Sequence, residues 1–159
     1  MRVFRPTDRQ PSKAFSLFEL VMVLAIITIL GAIAVPRYAN ATANYRAEAA
    51  GRRIIADLEL ARRKARASRQ SRTVEFQILA NRVRILDVAD MADSSKTYVT
   101  RLADDPYRAE LVSVDLGGDT EVTFDGYGVP DSGGTIVVRH AGIQETIVLD
   151  AHSGKAEPK

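Results

Sequence analysis

Cysteine is absent from this chain of 159 residues, and histidine occurs only twice. Without cysteine there are no disulfides, thiolate metal sites or cysteine nucleophiles, although the compartment stays open, because many exported proteins also lack it. His140 and His152 have no Gly-x-Ser-x-Gly, His-Glu-x-x-His or phosphate-loop pattern around them, and both read as surface residues of a strand or loop. The chain therefore reads as a non-enzyme that needs neither cofactor nor metal. Asp115, Asp119, Glu121, Asp125 and Asp131 form an acidic stretch without EF-hand spacing, which reads as solvated turn carboxylates, with calcium as the minor alternative. No internal repeat is present. At 46% hydrophobic and 26% charged, the composition is neither disordered nor collagen-like.

Charge is scarcest in residues 15–35, FSLFELVMVLAIITILGAIAV, where Glu19 is the only ionised group in twenty-one positions. As a helix this run is about 31 Å long, close to the thickness of a bilayer's hydrocarbon core. It is expected to span a membrane. Elsewhere charge is plentiful and segregated. Residues 46–72 hold nine Arg or Lys against three acids, whereas residues 73–159 hold eight against fifteen. A basic stem carries an acidic head.

Pro36 closes the apolar run, yet helix-compatible sequence resumes at once. Ala47, Gly51, Ile54, Leu58, Ala61, Ala65 and Ser68 recur at alternating steps of three and four, which is one face of an amphipathic helix. The arginines between them point elsewhere. One long helix is expected over 15–69, bent at Pro36. After Arg72 the period changes to two: Val74, Phe76 and Ile78, then Val83 and Ile85 after Ala80-Asn81, predict a hairpin. An Asp/Ser-rich loop follows over 90–96. Further strands are expected at 98–102, 110–116, 121–124, 135–139 and 146–150, separated by glycine turns, with 155–159 as a frayed tail. Sequential strands with tight turns imply an antiparallel sheet whose apolar face the helix covers.

Three readings compete for the N-terminal third. A plain signal anchor would only tether a domain. A cleavable secretory signal would use Ala32-x-Ala34 before Val35, but a carboxylate inside its apolar region is costly and serves nothing in a discarded peptide. The third reading makes Glu19 the point of the segment. Lys13-Ala14-Phe15-Ser16-Leu17-Phe18-Glu19-Leu20 resembles the processing site of type IV prepilins and pseudopilins, and Pro36 falls where that family commonly has a proline. The resemblance implies cleavage between Ala14 and Phe15 by a prepilin peptidase and methylation of the new Phe15 amino group. Alanine stands at position 14 where the family nearly always has glycine; it is the mildest steric replacement, so processing is expected. Glu19 and Pro36 are then the assembly residues. A positive amino terminus four residues away, on the same or a neighbouring subunit, would offset the buried carboxylate and set the register between helices. The basic residues flanking the apolar run are balanced, so the cytoplasmic position of the leader is implied by the family alone.

The head carries a second resemblance. Asp57-Leu58-Glu59-Leu60-Ala61-Arg62-Arg63-Lys64-Ala65 followed by Thr73-Val74-Glu75-Phe76, and later Val122 through Pro130 followed by Gly134 through Val138, are similar to the heads of minor pseudopilin H of type II secretion systems. The fold implied is pilin-like α+β: a leader at 1–14, a membrane and filament-core helix at 15–36, an amphipathic basic helix at 37–72, and an antiparallel sheet head at 73–159. The partners implied are other pseudopilins or pilins, the peptidase and an inner-membrane assembly platform. The location implied is the bacterial inner membrane with the head in the periplasm, and later a periplasmic filament. Two alternatives stay open. One is a minor pilin of a type IV pilus that binds DNA through a basic surface at Arg62, Arg63 and Arg66, although no aromatic residue lies between Tyr45 and Phe76 to stack on bases. The other is a tethered binding domain. Attraction between one subunit's basic stem and another's acidic head gives the charge segregation a plainer use.

Overall fold

In a computed structural model of the chain, residues 16–90 and 93–159 are described, apart from the side chain of Pro36. Helix α1 runs from Leu17 to Ser68 without interruption at Pro36. Two compact units divide the chain at residues 39 and 40.

In the first unit α1 is apolar apart from Glu19 and Arg37. Leu17, Phe18 and Ile33 are exposed by 82%, 72% and 64% of their surface. Thr28, its one hydroxyl-bearing residue between Leu17 and Val35, turns its Oγ1 back to donate to the Leu24 carbonyl at 2.8 Å. Helix α1 is thus long and apolar enough to cross a membrane.

The second unit is built on the rest of α1. Ala47, Ala50, Gly51, Ile54, Leu58, Ala61 and Ala65 are all buried, so the small-residue stripe faces the core, while Ser68 is exposed. The helix stops where Arg69 turns to a φ of 52° and Gln70 donates to the Ala65 carbonyl at 3.2 Å, a left-handed cap with the bond pattern of a Schellman motif.

Eight strands follow: β1 (Arg72–Gln77), β2 (Arg82–Ala89), β3 (Thr97–Arg101), β4 (Glu110–Leu116), β5 (Glu121–Phe124), β6 (Gly134–His140), β7 (Ile143–Leu149) and β8 (Ala156–Pro158). They are antiparallel, as expected, but form two four-stranded sheets instead of one, in the orders β3-β2-β1-β5 and β4-β6-β7-β8. Asn81 is the hinge between them. A short 3-10 turn, Ile78–Ala80, ends the first strand of the hairpin, and Asn81 follows with a φ of 48°. Its carbonyl accepts the Leu102 amide at 2.9 Å, and its Oδ1 accepts the Leu111 amide of β4 at 2.7 Å. Ile78 therefore belongs to the turn and not to the strand expected for it. The tail expected to fray instead forms β8, which pairs with β7.

Alternation sorts the sheets cleanly. Val74, Phe76, Val83, Ile85, Val122 and Phe124 of the first sheet and Leu111, Leu116, Ile136, Val138, Ile147 and Leu149 of the second form one core with Ile54 and Leu58 of α1. Gly51 sits against the second sheet so closely that a Cβ there would meet Glu145 Cγ at 2.8 Å. This explains the glycine in an otherwise alanine-rich stripe.

Candidate functional site

The start of α1 is capped by Ser16. Ser16-Leu17-Phe18-Glu19 has the spacing in which the first side chain caps the helix and the fourth residue is acidic. Ser16 Oγ accepts the Glu19 amide at 3.1 Å, and the Ser16 carbonyl accepts the Leu20 amide at 3.1 Å. Glu19 thus lies in the first turn, where the helix dipole favours a negative charge. Its carboxylate is exposed and, among the described residues, unpaired. Ala14 and Phe15 lie outside the described residues. Ser16 was not singled out in the sequence, although the Ser-x-x-Glu spacing was there to find.

The three arginines taken as one basic surface are not equivalent. Arg63 pairs with Glu59 at 2.8 Å. Arg62 is half-buried, pairs with Glu59 at 3.3 Å and donates through Nε to the Gly128 carbonyl at 3.3 Å. These two guanidiniums, Arg63 foremost, hold the Glu59 carboxyl below its ordinary range. Arg66 makes no ion pair among the described residues. Its aliphatic stem packs under Gly128, where a Cβ would meet Arg66 Cδ at 2.6 Å.

Arg53, expected to point away from the core, reaches β3 instead. It pairs with buried Asp57 at 3.2 Å, donates to Thr100 Oγ1 at 3.3 Å and contacts the Tyr98 hydroxyl. Tyr98 in turn donates to Asp57 Oδ1 at 2.8 Å. This network ties helix to sheet and is a structural element. The Arg53/Asp57 spacing of four was its visible trace.

The acidic stretch is spent on turns. Asp115 Oδ1 accepts the Gly118 amide, Asp125 Oδ1 accepts the Tyr127 and Val129 amides, and Asp131 Oδ1 accepts the Thr123 amide. Among the described residues no three His, Asp or Glu side chains converge on a point that could hold a metal ion. His140 and His152 are on the surface, and His140 Nδ1 hydrogen-bonds the Arg108 carbonyl at 2.6 Å.

A helix whose first part is apolar and long enough to cross a membrane, with a carboxylate in its capped first turn, leads into a two-sheet α+β head of the pilin type. The chain belongs to the GspH family of type II transport proteins, whose model matches residues 50–154. A second model, the prokaryotic N-terminal methylation motif, matches residues 9–35. No curated protein is significantly similar in sequence. Among solved structures, the minor pseudopilin EpsH from the type 2 secretion system of Vibrio cholerae aligns over 72% of this chain and 96% of its own, with a TM-score of 0.53 at 14% identity. The type IV minor pilin FimU of Pseudomonas aeruginosa aligns over 73% and 90%, with a TM-score of 0.53 at 13% identity. Both share the fold.

Proposed function

We propose that the chain is a minor pseudopilin, a structural subunit that works by joining a filament and not by catalysis. Residues 1–14 are its cytoplasmic leader, and a prepilin peptidase removes them by cutting between Ala14 and Phe15. The new amino group of Phe15 is methylated. The helix over 15–36 first anchors the subunit in the inner membrane, with residues 37–72 and the head over 73–159 in the periplasm. An inner-membrane assembly platform then moves it into a periplasmic filament of pseudopilins that helps export folded proteins.

The observation that carries this reading is the conjunction, in one chain, of a methylation motif over residues 9–35 and a GspH head over residues 50–154. Physical chemistry supplies the reason for each part. Apolar side chains as exposed as those from Leu17 to Val35 must be covered by lipid or by other helices. A carboxylate among them costs about 2.5–3.5 kcal/mol at the centre of a span. Glu19 sits at the helix start, where the amino group freed by cleavage would be close enough to offset that cost.

A minor pilin of a type IV pilus would use the same anchor and head, and deletion of the gene separates the two. Exoproteins retained in the periplasm with surface pili intact are expected for the pseudopilin. Normal secretion with loss of pili or of DNA uptake would move the subunit to the pilus.

A further inference from the structure

The solvent face of the first sheet has its charges sorted by strand. Side chains alternate along β2 and β3, so Val83, Ile85, Tyr98 and Thr100 point into the head while Arg82, Arg84, Val99 and Arg101 point out. Register sets Arg82 directly opposite Arg101, and Arg84 opposite Val99. On the other side of β2, Gln77 lies opposite Arg82 and Glu75 opposite Arg84. Arg84 pairs with Glu75 at 3.2 Å, and Gln77 donates to the same carboxylate at 3.2 Å. The row from Arg101 through Arg82 to Gln77 therefore holds no acid, and among the described residues neither arginine forms an ion pair. Both are exposed, although like charges set opposite each other destabilise a sheet.

Strand β3 is an edge of this sheet. Its pairing with β2 decides which of its backbone groups are free. The Leu102 amide donates to the Asn81 carbonyl at 2.9 Å, which makes that pair a hydrogen-bonded one. Antiparallel pairs alternate, so Arg101/Arg82 and Val99/Arg84 are non-hydrogen-bonded pairs. The N–H and C=O groups of Val99 and Arg101 then point away from β2 to the open edge, where no described backbone group bonds them. Val99 and Arg101 also line two open depressions, one shared with Arg84 and Thr97 and the other with Arg53, Asp104 and Tyr107.

An unpaired edge can accept another extended chain, with main-chain bonds giving affinity and alternate side chains giving specificity. Arg101 beside Arg82 asks for a carboxylate, and Val99 asks for an apolar side chain. Between these two, the incoming chain turns a residue toward Thr100 and the depression that holds Arg53 and Asp104. Charges of both signs stand there, so a neutral residue fits. A second copy of the same edge would bring one arginine cluster against another. Phe76 and Tyr98 point inward, so no aromatic side chain stands on this face of β1, β2 and β3 to stack on bases.

We infer that the β3 edge binds an extended segment of a different protein as an added strand, with a carboxylate opposite Arg101 and an apolar residue opposite Val99. The contact does not depend on which filament the chain joins.

The probe is a dye-labelled peptide in which glutamate, valine and glutamate alternate with threonine. In either strand direction, valine opposite Val99 then leaves a glutamate opposite Arg101. Fluorescence anisotropy with the detergent-solubilised full-length chain is expected to show binding that weakens several-fold with added salt. The double variant Arg82→Glu/Arg101→Glu is expected to lose that peptide and to prefer one with lysine in place of glutamate. Val99→Pro removes an outward N–H that β2 does not use, so it should abolish binding while the circular dichroism spectrum stays that of the wild type. Amide exchange on the wild-type chain, slowed over residues 97–101 by the peptide, decides the same point independently of any variant. Absence of peptide binding, or binding that leaves exchange over 97–101 unaltered, would overturn the added strand. Equal binding of a single-stranded oligonucleotide, insensitive to Val99→Pro, would make this face a general anion site instead.

Discussion

Burying a carboxylate while one of its oxygens has no partner works against its charge, and Asp57 is in that position. It is 1% exposed, its Oδ2 is unpartnered, and burial pushes its pKa up despite the Thr100 and Tyr98 hydroxyls and Arg53, which pull it down. The unfolded chain releases this proton near the ordinary value of about 3.9. Since the folded value is higher, the stabilisation from protonated Asp57 is fully present below the unfolded pKa and lost as pH rises through the folded one. Glu59, whose pKa is depressed, contributes in the opposite sense. The informative quantity is therefore the difference between wild type and Asp57→Asn. Thermal unfolding of the detergent-solubilised chain should show wild type gaining on the variant as pH falls from 7 toward 4. A constant difference would mean that Asp57 is ionised throughout. Glu19 makes the other prediction at this scale: Glu19→Gln should stay in the membrane fraction and be depleted from sheared filaments. Equal incorporation would remove Glu19 from assembly.

At the scale of elements, the helix was legible because its signal is local. Steps of three and four from Ala47 to Ser68 placed seven residues on one face, and all of them but Ser68 are buried there. Strands β4 and β5 were likewise visible from alternation and flanking glycines. The division into two sheets was not, because it depends on Asn81 reaching β4 across thirty positions of sequence. Nor was β8, whose polar Ala156–Pro158 has no apolar alternation and is fixed by backbone pairing with β7. The Arg82/Arg101 pair was missed for the same reason, since only the pairing of β2 with β3 sets the two opposite each other. Two substitutions test the packing. Leu58→Ala should destabilise the head by about 2–5 kcal/mol, the usual range for emptying a core leucine site. Gly126→Ala drives a methyl into the Arg69 carbonyl and should cost about 1–3 kcal/mol, as overpacking does. Denaturant unfolding measures both, and an unchanged midpoint for Gly126→Ala would refute the close approach of turn and helix.

For the whole molecule, the apolar start of α1 and the charged head suit different solvents. On the proposed filament reading, the apolar half of α1 leaves lipid for other helices, and the head needs a guide to its place beside its neighbours. Segregated charge meets that need. The central claim is that processing at Ala14–Phe15 admits this chain to a filament, and the most direct test is the intact mass and N-terminal sequence of the protein expressed with and without a prepilin peptidase. The account predicts a peptidase-dependent chain that begins at N-methylated Phe15. A chain that still begins at Met1 with the peptidase present, or one that begins at Val35 without it, would contradict it.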